Sequence, residues 1–148
     1  MNKLTHTDKH GKAAMIDVGS KAVSIRTAKA SGHITLSPDT IKLVNENQLK
    51  KGDVLTVGQI AGINGAKQCQ ALIPLCHNIM LDSIKVDLSV DSTGVRAFSE
   101  VKCTGRTGAE MEALTAVSVS LLTVYDMCKA VDRSMTIDRI KLDEKTKK

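Results

Sequence analysis

A chain of 148 residues, 42% hydrophobic and 25% charged, is long enough to close one core and too apolar to stay disordered. Its formal charge of +5 suits an anionic partner, or solubility alone. Tyr125 and Phe98 are the only aromatic residues, so the stacking platform that single-stranded nucleic acid requires is missing, and no DNA-reading motif is present; a small phosphorylated metabolite fits the charge equally well.

In chain order, residues 1–12 read as a flexible arm and 14–19, AMIDVG, as a short extended piece. Residues 21–36 are rich in β-branched side chains around Gly32, which predicts a bent strand. Ser37-Pro38-Asp39 then starts a helix, with Ser37 as cap and Pro38 in the first turn, ending near Asn47. Asp53 caps a second helix, VLTVGQIAGINGAKQCQAL, in which Gly58, Gly62 and Gly65 fall on one side. Glycine weakens a helix, so this spacing predicts close backbone packing. GINGAKQ is not a phosphate loop, because the GxxxxGK[ST] order is absent. Pro74 closes the helix and LCHN turns. IKVDLSV (84–90) and VRAFSEVKC (95–103) alternate around the turn Asp91–Gly94 and predict a hairpin. TGRTG (104–108) is a glycine-punctuated loop. A helix over 109–131 and a last strand, MTIDRIKLDE, complete the chain, with 143–148 as a flexible tail. The plan is βαββαβ plus one helix. It predicts a single α+β domain over 1–148, a ferredoxin-like antiparallel sheet with helices on one face.

The four cysteines, Cys69, Cys76, Cys103 and Cys128, form no CxxC pair. A zinc site would need Cys69, Cys76 and His77 to meet a fourth ligand at a spacing that matches no standard motif. They read as reduced cysteines of the core or a site wall. The first residues lack an apolar signal core and no stretch reads as a membrane span. The expectation is a cytoplasmic protein, or one of the mitochondrial matrix in a eukaryote, with neither membrane nor nucleic acid as partner.

Asp126 and Lys129 carry the sharpest chemical signal. They lie three apart on a helix face amid Leu121, Leu122, Val124, Tyr125, Met127 and Val131. A helix apolar on so much of its circumference is covered on more than one side, and in a small chain the second cover is another subunit. Charges carried there cost several kcal/mol, on the order of other buried ions, unless paired or used. The plain reading is a structural pair; the chemical one is a desolvated lysine of lowered pKa beside a carboxylate, poised for proton transfer. Lys51 and Lys67 read as solvated lysines, Glu110 and Glu112 as acids placed well for the helix dipole. His77 is either structural or part of an anion site. Glu112 and Asp126 are fourteen residues apart on one helix, roughly 21 Å, so a site that uses both is shared between subunits.

Taken together, LTH, MIDV, KGDVL (51–55), LIPLCHN (72–78), TGRTGAEMEALTAVS (104–118) and YDMCKAVD (125–132) resemble the cyclic pyranopterin monophosphate synthase (MoaC) family of molybdenum cofactor biosynthesis, over nearly the whole chain. The resemblance implies a homohexamer built as a trimer of dimers, with active sites at dimer interfaces. It implies a lyase that converts 3′,8-cyclo-7,8-dihydroguanosine 5′-triphosphate, a small purine triphosphate derivative, to cyclic pyranopterin monophosphate and pyrophosphate. It implies Asp126 as acid/base with Lys129 as partner, Lys51 and Lys67 as site cations, and Leu75, Cys76, His77, Met111 and Glu112 as substrate contacts. Asp17, Lys21, Arg26 and Lys145 are further substrate contacts on the same ground. No cofactor and no protein-held metal are expected; magnesium on the triphosphate is compatible. Three positions depart from the family pattern. Asn78 replaces the proline of LCHP, Asn64-Gly65 replaces a bulkier or Ala-type pair, and DEKTKK stands where a glycine-rich GGKSG tail is usual. The competing reading is a nucleotide-binding oligomer of the same fold without catalysis.

Overall fold

The computed structural model describes residues 7–148. Its elements are β1 (Ser24–Thr35), α1 (Pro38–Asn45), α2 (Val54–Leu72), β2 (Leu81–Val90), β3 (Gly94–Gly105), α3 (Glu110–Cys128) and β4 (Thr136–Lys147). The strands form one antiparallel sheet in the order β2-β3-β1-β4. This is the α+β plan the sequence predicts, with α1 as the added helix.

Local chemistry sets the boundaries. The Ser37 hydroxyl accepts the Thr40 N–H at 3.2 Å, and Asp53 accepts the Thr56 N–H at 3.1 Å, so both expected caps are made. α3 stops three residues before the expected Val131, because Val131 and Asp132 turn back to bond the Cys128 carbonyl. The Asp132 carboxylate then accepts the Ser37 N–H at 2.8 Å and ties the end of α3 to the start of α1.

α3 is the spine. Small residues on the sheet, Ala28, Ala30 and Ala97, let its Ala113, Val117, Leu121 and Val124 sink to full burial. A Cβ on Gly32 would lie 2.8 Å from Val117 and 2.9 Å from Leu121. On the other side of α3 the glycines of α2 do what their spacing predicts. A Cβ on Gly62 would come within 2.2 Å of the Ser120 hydroxyl and 3.0 Å of the Ala116 carbonyl. Ser120 is buried and donates to the Gly58 carbonyl at 2.9 Å, which the close approach makes possible.

Three expectations change. Residues 143–147 are not a tail: they belong to β4, with Lys145 opposite Ala28 and Lys147 opposite Arg26, because β1 is long enough to template them along an otherwise open edge. Of the expected arm, residues 1–6 lie outside the described part; Thr7 bridges Ala13, and 14–18 have no regular structure. Finally, α3 is long and apolar enough to cross a bilayer by length and composition, contrary to the sequence reading, but more than half of it is buried inside the domain.

Candidate active site

The expected site residues gather at the two ends of α3. At its C-terminal end the Asp126 carboxylate accepts from the Lys51 ammonium at 2.6 Å and pairs with Lys129 at 2.8 Å. Lys51 is delivered by the KGD turn. Gly52 takes φ 94°, a left-handed conformation suited to glycine, and Asp53 starts α2 directly after it. The pair of lysines holds Asp126 down at about 2, the Lys129 hydrogen bond first and Lys51 second.

The burial expected of Asp126 and Lys129 is absent in the single chain, while Lys51 is as solvated as the sequence suggests. The side chains of Lys51, Asp126 and Lys129 are 52%, 52% and 59% exposed, and the Lys129 pKa is raised by its bond to Asp126 rather than lowered by desolvation. The cause is the position of Asp126 and Lys129 on the outer side of the last turn of α3. Apolar Leu122, Tyr125 and Val131 are exposed beside them.

The N-terminal end of α3 opens on a cleft of about 390 Å³ lined by Lys21, Leu75, Cys76, His77, Met111 and Glu112. A hollow of about 250 Å³ carries Arg26 and Lys145 and shares Gly108 and Glu110 with the cleft. A third, of about 210 Å³, joins Lys67 to Glu112. Nine of the ten expected substrate contacts therefore surround one helix end. The tenth, Asp17, lines none of these hollows; its carboxylate accepts the Gly19 N–H at 2.7 Å and bends the segment that presents Lys21. The Ile16 carbonyl accepts the His77 Nε2–H at 2.5 Å, so the irregular N-terminal segment fixes that imidazole with Nδ1 left to act as the other partner.

Glu112 is buried, and burial raises its pKa, partly offset by its own backbone N–H. α3 has no side-chain cap: its N-cap is Ala109. First-turn N–H groups without a capping side chain favour an anion. Cys76 Sγ lies 4.0 Å from Cys69 Sγ, and burial pushes the Cys69 thiol up to about 12.

Sequence reasoning left out Arg106 and Glu110 as site residues. Arg106 donates to the Lys21 carbonyl at 3.1 Å, and its own carbonyl accepts from Arg26 at 3.3 Å, so TGRTG clamps the basic segments together. Glu110 pairs with Lys145 at 3.5 Å. The signal was a polar loop with two glycines feeding an uncapped helix.

One end of the helix thus offers a carboxylate between two ammonium groups, and the other a cation-rimmed cleft. A family model described as the MoaC family matches residues 15–148. The chain is 53% identical to a cyclic pyranopterin monophosphate synthase of Parvibaculum lavamentivorans, covering 97% of this chain and 91% of that protein. A protein of the same name from Methylobacterium sp. is 51% identical over 99% of this chain and 92% of its own length. Molybdenum cofactor biosynthesis protein 1 of Drosophila melanogaster is 52% identical over 98% of this chain, which spans 26% of it.

Proposed function

We infer the chemistry of this chain from one premise: it belongs to the MoaC family. It is a cyclic pyranopterin monophosphate synthase-type lyase of molybdenum cofactor biosynthesis, acting on 3′,8-cyclo-7,8-dihydroguanosine 5′-triphosphate and releasing pyrophosphate. The observation that carries the assignment of roles is the separation of an acid–base cluster from an anion cleft by the length of α3.

The cleft takes the triphosphate. Lys21 lines it, Arg26, Lys145 and Lys67 line the two adjoining hollows, and magnesium can ride on the phosphates without a protein cage. Closing the cyclic phosphate requires a hydroxyl oxygen of the substrate to attack the α-phosphorus while the bond to pyrophosphate breaks and the hydroxyl proton leaves. Asp126 takes that proton. Held down at about 2 by its two lysines, it is a weak base in the free chain. Phosphate oxygens compete for those lysines, and each one drawn away gives basicity back to Asp126 just where it is needed. Lys51 and Lys129 then face the developing charge of the leaving group.

Both clusters serve one substrate when two subunits pair α3 antiparallel, so that the Asp126 end of one meets the Glu112 end of the other. The outer side of the helical layer supports this pairing. Val57 and Ile60 of α2 and Leu122 and Tyr125 of α3 lie exposed there, beside a hollow lined by Ala61, Gly65, Leu72 and Val119. The full assembly is a homohexamer, a trimer of such dimers, and a reducing compartment such as the cytoplasm suits its four free thiols. Asp126→Asn is nearly isosteric and removes the ionisable group, so pyrophosphate release from the cyclised triphosphate should fall at least about a hundredfold, with folding and substrate binding retained. Unchanged turnover would remove Asp126 from the mechanism; no pyrophosphate release by the native protein would leave a binding oligomer instead.

A further inference from the structure

Behind the cleft, Cys69 in the last turn of α2, Cys76 in the loop after it and Glu112 in the first turn of α3 each place a ligand atom within 4.8 Å of the other two. We propose that Cys69, Cys76 and Glu112 form a site for a thiophilic divalent cation of the zinc class at the floor of the cleft, and that its occupation blocks the substrate.

The distances separate a metal site from a disulfide. The two sulfurs lie 4.0 Å apart. That is twice the length of a disulfide bond, about 2.05 Å, but close to the roughly 3.8 Å edge of a tetrahedron with metal–sulfur distances of about 2.3 Å. With two ligand atoms 4.0 Å apart and the third within 4.8 Å of both, one point lies no more than about 2.6 Å from all three, so small side-chain rotations bring a cation into bonding range. Two thiolates and one carboxylate are a donor set zinc accepts, with water or an anion in the fourth position.

The surroundings fit. The Thr115 hydroxyl donates to Cys69 Sγ at 3.5 Å, the outer-shell bond that orients a ligating sulfur. Cys76 and Glu112 line the cleft and give the cation a way in. His77 is not part of the set, since its Nε2 is committed to the Ile16 carbonyl. That blocking follows from binding rests on the reading of this cleft as the substrate site; the binding itself does not.

The test uses the full reduced chain. One equivalent of cobalt(II) should give thiolate-to-cobalt charge-transfer absorption and tetrahedral d–d bands, and zinc should abolish both. Cys69→Ser, a change outside the residues assigned to substrate, should weaken zinc binding at least about tenfold, measured against a chromophoric chelator. It should leave uninhibited turnover within about twofold and raise the zinc concentration needed for inhibition by the same factor as the affinity loss. Absence of the charge-transfer band, or unchanged zinc affinity in Cys69→Ser, would overturn the site. Zinc bound at Cys69 with undiminished substrate binding would overturn the blocking. The spectroscopic arm needs no turnover, so a failure of the lyase reading leaves it intact and is distinguishable from a failure of the site.

Discussion

Glu112 lies 4% exposed in the first turn of α3, where burial lifts its pKa above the ordinary 4.5. A carboxyl group with a raised folded pKa contributes most when protonated, and that contribution is lost as pH climbs from the unfolded value through the folded one. At neutral pH, above the unfolded value, the burial of Glu112 therefore costs stability. Glu112→Gln should unfold at a higher temperature than the native chain at pH 7, with the difference closing below about pH 4, where both side chains are neutral. Its turnover should fall. Thermal melts across pH together with a pyrophosphate assay check this, and a lower melting temperature at pH 7 would show that the charge is compensated. The two lysines at opposite ends of α2, Lys51 just before it and Lys67 in its C-terminal half, divide differently. Lys67 shares a hollow with Glu112 and lies far along α2 from Lys51, so Lys67→Ala should raise KM roughly ten- to a hundredfold, the worth of a charge-assisted contact of about 1.5–3 kcal/mol. Lys51, which bonds Asp126 directly, should lose kcat as well. Calorimetric titration beside single-turnover kinetics separates the two; equal behaviour of both variants would merge their roles.

At the scale of elements, the α2–α3 contact is where sequence spacing and packing correspond most closely. The added methyl of Gly62→Ala meets Ser120, Val86 and the Ala116 carbonyl at once, and two of these cannot rotate away cheaply. A loss of about 1–3 kcal/mol is expected, read from denaturant midpoints. Adding Ser120→Ala should recover only part of it, since Val86 and the carbonyl remain and the bond to Gly58 is gone; full recovery would mean that the backbone contact gives way. The glycine triplet was legible because a costly residue repeated at helical spacing needs a reason. The β2–β3 hairpin was legible because alternation and the Asp91 turn agree, and that turn is made as expected, Asp91 accepting the Thr93 and Gly94 N–H groups. The end of β4 was not legible, because Lys145 and Lys147 read as solvated chain until β1 is seen to hold them. The candidate site residues were gathered by motif, and the fourteen-residue gap between Glu112 and Asp126 already divided them into the two groups the structure places at opposite ends of α3. What spacing could not show is the partner of Cys76. Cys69 lies seven residues earlier, across a helix end and Pro74, where no period relates two side chains. The N-terminal segment was equally opaque, since Ile16 acts through its backbone carbonyl.

For the whole molecule, the question is whether one chain can be an active site. The Asp126 cluster and the Glu112 cleft are separated by roughly 21 Å of helix, and the face between them exposes Leu122 and Tyr125. A two-fold pairing across that face gives each dimer two identical composite sites, each with Asp126 from one chain and His77 from the other. This makes a sharp prediction for mixtures. Asp126→Asn alone and His77→Ala alone should each be nearly inactive, because every composite site in either homodimer has lost one essential group. In a mixed dimer one site collects both substitutions and the other collects neither. Random exchange makes half the dimers mixed, and half the sites in each of those are intact, so an equimolar mixture should recover about a quarter of native activity. The kcat should scale with the mixed fraction while KM stays native, since the rebuilt sites are native in every group. Sedimentation of the native chain at micromolar concentration should show the oligomer this requires. Dissociated chains refolded together should gain activity, and chains mixed without exchange should gain none. If the refolded mixture stays as inactive as its parents while sedimentation shows mixed oligomers, then each chain carries its own Asp126 and His77 to the same substrate, and the antiparallel pairing of α3 is wrong.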